Sequence, residues 1–198
     1  MAVEFDFEPA AHRLTGVLAA IPDDGMDAVT PCEGFSVATL LDHMDGLTAA
    51  FARVARKQVG PGASRPPAPS AEHLAADWRT RVPEQLKDLV VAWREPSAWD
   101  GMSEAGGVPL PSAVLARVAL DELILHGWDL ARATGQPYDV PADEAEICLA
   151  LLAGQPAPSE DGPRPPGGAF GPPVPVPDDA PALDRLVARS GRNPAWIP

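Results

Sequence analysis

Glu122 and His126 stand one helical turn apart in LDELILHGWDLARATG, Leu120 to Gly135, a stretch that otherwise reads as a buried helix. Residues at i and i+4 are neighbours on a helix surface, with Cβ atoms about 6 Å apart. A carboxylate and an imidazole at that spacing can grip one cation, as helix-borne zinc motifs do. Turning about 100° per residue sorts the four histidines by face. On the second helix Asp42, Asp45, Arg53 and Arg56 form a charged stripe, and His43 points the other way, among Leu40, Leu47, Ala50, Phe51 and Val54. On the fourth helix Arg117, Asp121 and Arg132 mark the solvent stripe, with Glu122 and His126 on the far side beside Leu115, Ala119 and Ala133. His12 and His73 turn outward.

An isolated buried carboxylate costs several kcal/mol even after relaxation, so Glu122 must be paired or neutralised. No Arg or Lys shares the inward face of its helix. Two arrangements meet the need. A metal ion satisfies Glu122, His126 and His43 together, or Glu122 hydrogen-bonds His126 in a metal-free polar pocket.

These side chains have to be positioned by helices, because helical periodicity dominates and strand signals are few. The expected helices are Glu8–Ile21, Val37–Gln58 with Ser36 as N-cap, Ala71–Trp93, Ser112–Thr134 stopped by Gly135, Ala142–Ala153 and Ala182–Ser190. Pro83 should kink or divide the third. The fold class is therefore all-α: an antiparallel four-helix bundle over residues 1–154, with a proline-rich extension, 155–198, packing on it. Ten of the 25 prolines lie between Gln155 and Pro181, a density that excludes helix and central strand. A second break, GPGASRPPAPS, spans Gly60 to Ser70.

The 198 residues suffice for one domain with a sizeable core, and 45% of them are hydrophobic. A net charge of −13 argues against nucleic acid and anionic lipid as partners. Cys32 and Cys148 make neither a disulfide framework nor a CxxC knuckle. No apolar run approaches membrane-spanning length, and the acidic MAVEFDFEPAAH has no charged-then-apolar leader, so a cytoplasmic protein is expected.

Three blocks carry a resemblance. TPCEGFSVATLLDHMDG (Thr30–Gly46), DELILHGWDLARATGQP (Asp121–Pro137) and FGPPVPVPDDAPALDRLVARSGRNPAW (Phe170–Trp196) resemble the blocks of actinobacterial DinB-like metal-binding proteins, a group similar to the N-terminal domain of mycothiol-dependent maleylpyruvate isomerase. The resemblance implies a DinB/YfiT-like four-helix bundle holding a divalent metal, usually zinc, by two histidines and a carboxylate. Carried over by motif these are His43, Glu122 and His126, the candidate metal ligands and catalytic set. Phe35 stands where the family usually has Trp, and DHMDG is more acidic than the usual run, with Asp42 and Asp45 expected on the surface.

Three ligands leave an open position on a tetrahedral ion, for water or a thiol. The resemblance implies the second. A low-molecular-weight thiol, mycothiol, would attack a small electrophilic substrate as thiolate, giving isomerisation or S-transfer. Other readings are a metal-dependent hydrolase or natural-product biosynthetic enzyme, and a non-catalytic binding module. A homodimer is one assembly open to the chain. Around the site, Asp129 can hold the other ring nitrogen of His126 or act as a helix-end charge. Trp128 should pack under the proline-rich tail. Cys32 reads as packing in a turn, Cys148 as core. Arg164, Arg185, Arg189 and Arg192 are candidates for binding a substrate carboxylate.

Overall fold

Ser36 starts the helix that carries His43. Its hydroxyl accepts the Thr39 amide at 3.2 Å, and α2 runs from Val37 to Ala55. Residues 2–58, 67–153 and 170–198 are described by the structure, a computed structural model. The other long helices are α1 (Glu8–Ala20), α3 (Trp78–Trp93) and α4 (Ser112–Ala133). They form a four-helix bundle in which α1 packs on α3 and α4, and α2 packs on α3 and α4. The apolar spacing of each helix places Leu14, Leu18, Leu40, Leu41, Met44, Leu86, Leu89, Leu123 and Ile124 in one shared core.

Each remaining boundary has a local cause. α4 closes with a Schellman motif: Gly135 takes φ 66°, its amide bonds Arg132 O, and the Gln136 amide bonds Ala131 O at 2.8 Å. The stretch expected as one helix, Ala71–Trp93, is divided, though not at Pro83. A short 3₁₀ turn at Ala71–His73 is tied to α2 by the Ser70 amide on Asp42 Oδ2 at 3.0 Å, and the chain redirects at Leu74–Asp77 before α3 begins. Pro83 stays inside α3, where it removes a single backbone donor.

Between α3 and α4 lies a hairpin that helical periodicity does not anticipate. Strands β1 (Met102–Ala105) and β2 (Val108–Pro111) pair antiparallel, with Ala105 opposite Val108. Gly106 and Gly107, at φ 58° and 83°, form the two-residue turn. Positive φ at both central positions is what a type I′ turn requires, and Gly-Gly supplies it without strain.

After α4 the chain adds α5 (Ala142–Ala153) and α6 (Ala182–Arg189), which pack together, α5 also lying on α4. This layer corrects the expected solvent stripe of α4. Asp121 is 3% exposed, because α5 covers that face and brings Cys148 against it. Burial first, and the Glu122 charge second, push the Asp121 carboxyl up to about 8. Asp45 is likewise not on the surface. α3 covers it, and it accepts from Gln85 Nε2 at 2.8 Å and Arg81 Nε at 3.0 Å. The proline-rich stretch as far as residue 169, the 154/155 boundary, Arg164 and the Gly60–Pro66 part of the second break lie outside the described residues.

Candidate metal centre

α2 and α4 lie side by side, and their inward faces meet at His43, Glu122 and His126. One carboxylate oxygen serves both rings. Glu122 Oε2 is 3.0 Å from His126 Nε2 and 3.4 Å from His43 Nε2. The imidazoles stand perpendicular, with centroids 5.0 Å apart. The offered ligand atoms of all three residues lie within 4.8 Å of one another. The cluster is sealed on one side and open on the other: the His126 side chain is 9% exposed, Glu122 20% and His43 30%, so access is from the His43 side. Phe35, on the loop before α2, meets the His43 ring edge-on at 6.1 Å. His12 and His73, expected to face outward, are exposed.

Behind His126 lies a second layer. Asp129 is fully buried and its Oδ2 is 2.9 Å from His126 Nδ1, so Asp129 braces the ring and is not a helix-end charge. Asp129 is held in turn by Arg192, whose Nε reaches Oδ1 at 2.7 Å and Nη2 reaches Oδ2 at 2.8 Å. This is the bidentate fork that suits guanidinium to carboxylate. Arg192 Nη1 also donates to Ser190 Oγ at 3.1 Å. Arg192 is therefore engaged inside the protein and does not present its guanidinium to a substrate. Arg185 is paired with Glu146 and the Ala180 carbonyl.

This layer decides what the cluster can hold. An ionised Asp129 accepts, so the network assigns a proton to His126 Nδ1. Nε2 then turns a lone pair toward Glu122 Oε2, itself an acceptor, at 3.0 Å. Two acceptors at that distance need a proton or a cation between them. Two imidazole nitrogens and a carboxylate oxygen suit zinc and its neighbours among divalent ions, so the residues present fit the metal group. In the metal-free protein a proton takes the place. Burial alone would depress His126, but the hydrogen bonds and charges of Asp129 and Glu122 outweigh it and raise its pKa to about 9. Burial opposes ionisation of Glu122 as well, yet the two histidines hold its carboxyl well below the usual carboxylate range.

Cys32 also reaches this neighbourhood, its ligand atom lying within 4.8 Å of those of His126 and Asp129. Burial pushes its thiol up to about 11, against the nearby Arg192 and with the help of Asp129 and Glu122. The sulfur is thus a neutral packing group. Thr30 builds the loop that carries it: its hydroxyl donates to the Phe35 and Cys32 carbonyls, and Gly34 at φ 82° closes the turn. Trp128, expected toward the surface under the tail, is 2% exposed, and Arg132 lies over its ring at 5.4 Å while bonding the Pro194 carbonyl. The positions of Arg192 and Cys32 beside His126 depend on contacts between distant segments, which helical periodicity does not report.

The fold is that of a DinB-like helical bundle with a histidine–carboxylate–histidine cluster between two of its helices. Residues 7–131 match the family model of the mycothiol maleylpyruvate isomerase N-terminal domain, and the chain belongs to that family. An uncharacterised protein of Mycobacterium tuberculosis, in strains CDC 1551 / Oshkosh and H37Rv, is 30% identical over 187 residues, covering 93% of this chain and 94% of its own length. The crystal structure of the mycothiol-dependent maleylpyruvate isomerase is similar with a TM-score of 0.54 at 20% identity. A histidine-to-alanine mutant of that isomerase gives a TM-score of 0.58 at 18% identity. Each likeness covers 74% of this chain, which spans 64% of the solved isomerase chain.

Proposed function

We propose that His43, Glu122 and His126 hold a divalent cation, zinc first among candidates, and that the site activates a low-molecular-weight thiol, mycothiol, toward a small electrophile. The outcome is S-transfer or thiol-assisted isomerisation. The observation that carries the reading is the convergence of two imidazole nitrogens on one oxygen of Glu122 at 3.0 and 3.4 Å, with the far nitrogen of His126 already committed to Asp129.

When bound, such a cation supplies Lewis acidity, which lowers the pKa of a thiol or water to near neutrality. The chain's own residues do the rest. Glu122 contributes the negative charge that makes the buried position tolerable for a cation. Asp129 accepts from Nδ1 and so fixes the ring of His126 with Nε2 directed at the site, where a cation would replace the proton. His43 lies at the open side, where thiol and substrate approach, and Phe35 limits the rotation of its ring. The membership of the chain in the mycothiol maleylpyruvate isomerase N-terminal domain family supports mycothiol as the thiol.

The test is elemental mass spectrometry on untagged protein beside His43→Ala and Glu122→Ala. About one equivalent of zinc is expected in the wild type and little in either variant. Conversion of an electrophilic probe should then depend on mycothiol and occur with the wild type alone, the thiol being consumed in S-transfer and returned in isomerisation. Failure to bind zinc when it is supplied, or full metal content and activity in His43→Ala, would sink the reading.

A further inference from the structure

We infer that Arg192, delivered by the C-terminal segment, is a positioning residue of the metal site: by clamping Asp129 it fixes the orientation and tautomer of His126. The inference rests on the reading of His126 as a metal ligand and extends the site to a residue 63 positions from Asp129 in the chain.

The local structure is built for this delivery. α6 ends in a second Schellman motif, with the Gly191 amide on Ala188 O at 3.0 Å and the Arg192 amide on Val187 O at 3.1 Å. Gly191 takes φ 84°, and a Cβ there would run into the backbone of Gly171. That backbone is itself tied to the helix end, Gly171 N donating to Ser190 O at 3.3 Å and Val174 N to Ala188 O at 2.9 Å. The residue that follows the glycine is thus aimed into the bundle. Arg192 is 6% exposed, unusual for arginine, and all three of its side-chain nitrogens have acceptors.

The chemistry explains why arginine stands there. Asp129 is 0% exposed, so without a counter-charge its carboxylate would be an uncompensated buried ion. The fork engages both oxygens, which fixes the carboxylate plane and hence the direction of the Oδ2 lone pair that meets His126 Nδ1. Lysine offers one point of charge and cannot fix the plane. No lysine or arginine on α4 has its place, so the fully assembled site draws on α2, α4 and the C-terminal segment.

A double-mutant cycle on the full chain tests this, read by zinc competition with a chromophoric chelator and by the visible spectrum of the cobalt(II)-loaded protein. Arg192→Met should weaken zinc binding about 10- to 100-fold, the range that loss of such outer partners causes. Arg192→Lys should recover only part. In the Asp129→Asn background, where the clamped charge is gone but a carbonyl oxygen can still accept from Nδ1, Arg192→Met should bring no further loss. The cobalt spectrum should shift in Arg192→Met and stay unchanged between Asp129→Asn and the double variant. Thermal melts identify any variant that fails to fold, and if Arg192→Met does, Arg192→Lys, which keeps the buried charge, takes its place in the cycle. Additive losses in zinc affinity, or an Arg192→Met protein that binds zinc as the wild type does, would overturn the inference and leave the three-ligand reading standing. A wild type that takes up no zinc would overturn both.

Discussion

Raising the pH from 7 to 8 should tighten zinc binding about ninefold, because the metal must displace a proton from His126. In the metal-free protein that proton bridges Nε2 and Glu122 Oε2, 3.0 Å apart, and the Asp129 and Glu122 contacts raise the His126 pKa from 6.5 to about 9. A base with that pKa is free in about 1 molecule in 100 at pH 7 and about 1 in 11 at pH 8, which sets the ninefold ratio. The sign follows from the raised value: the competing proton is fully present below the ordinary pKa, and its hold fades as pH rises through about 9, where the gain levels off. The same shift means that metal-free protein loses stability over that window. Isothermal titration with zinc in two buffers of different ionisation enthalpy measures the count, and close to one proton per zinc from His126 is expected at pH 7. Asp129→Asn removes the anion that favours imidazolium, so its affinity should rise less steeply with pH. Equal affinities at pH 7 and 8, with fewer than about half a proton released, would refute the assignment of the bridging proton.

Two further predictions concern single positions. A Cβ added at Gly127 would overlap the Tyr138 hydroxyl, which donates to Leu123 O at 3.3 Å, whereas one added at Gly46, exposed within α2, meets nothing within 4 Å. Gly127→Ala should therefore cost about 1–3 kcal/mol and Gly46→Ala should gain about 0.5–1 kcal/mol, with opposite shifts in thermal melts; a shared sign would contradict the packing. Cys32, its thiol raised from 9.0 to about 11, should react with iodoacetamide about 100-fold more slowly than a free cysteine at the same pH, and normally once unfolded. Peptide mass spectrometry follows the rate, and alkylation in the native state at the free-thiol rate would show that the sulfur is not shielded beside Asp129.

The helices, the Ser36 cap, the Gly135 stop and the inward turn of His43, Glu122 and His126 were legible in the sequence, because each rests on interactions within about one helical turn. Capping, propensity and apolar spacing act at that range, and they sort the faces of an isolated helix correctly wherever one side meets solvent. They fail where a later element covers the other side. Asp121 and Asp45 occupy faces that read as solvent stripes, yet α5 and α3 pack over them; burial disfavours the charge of Asp121, and Gln85 and Arg81 meet that of Asp45. The short turn before α3 is tied to α2 by Asp42 reaching Ser70, a contact 28 residues apart. The Gly106–Gly107 hairpin was written in local turn chemistry, but a helical period is blind to it. What tertiary structure alone decided is the surroundings of the histidine–carboxylate cluster. Arg192 and Cys32 meet at Asp129 and His126 only because the C-terminal segment and the loop before α2 converge on α4, and a buried carboxylate draws its counter-charge from whichever segment the fold brings within reach, irrespective of distance along the chain.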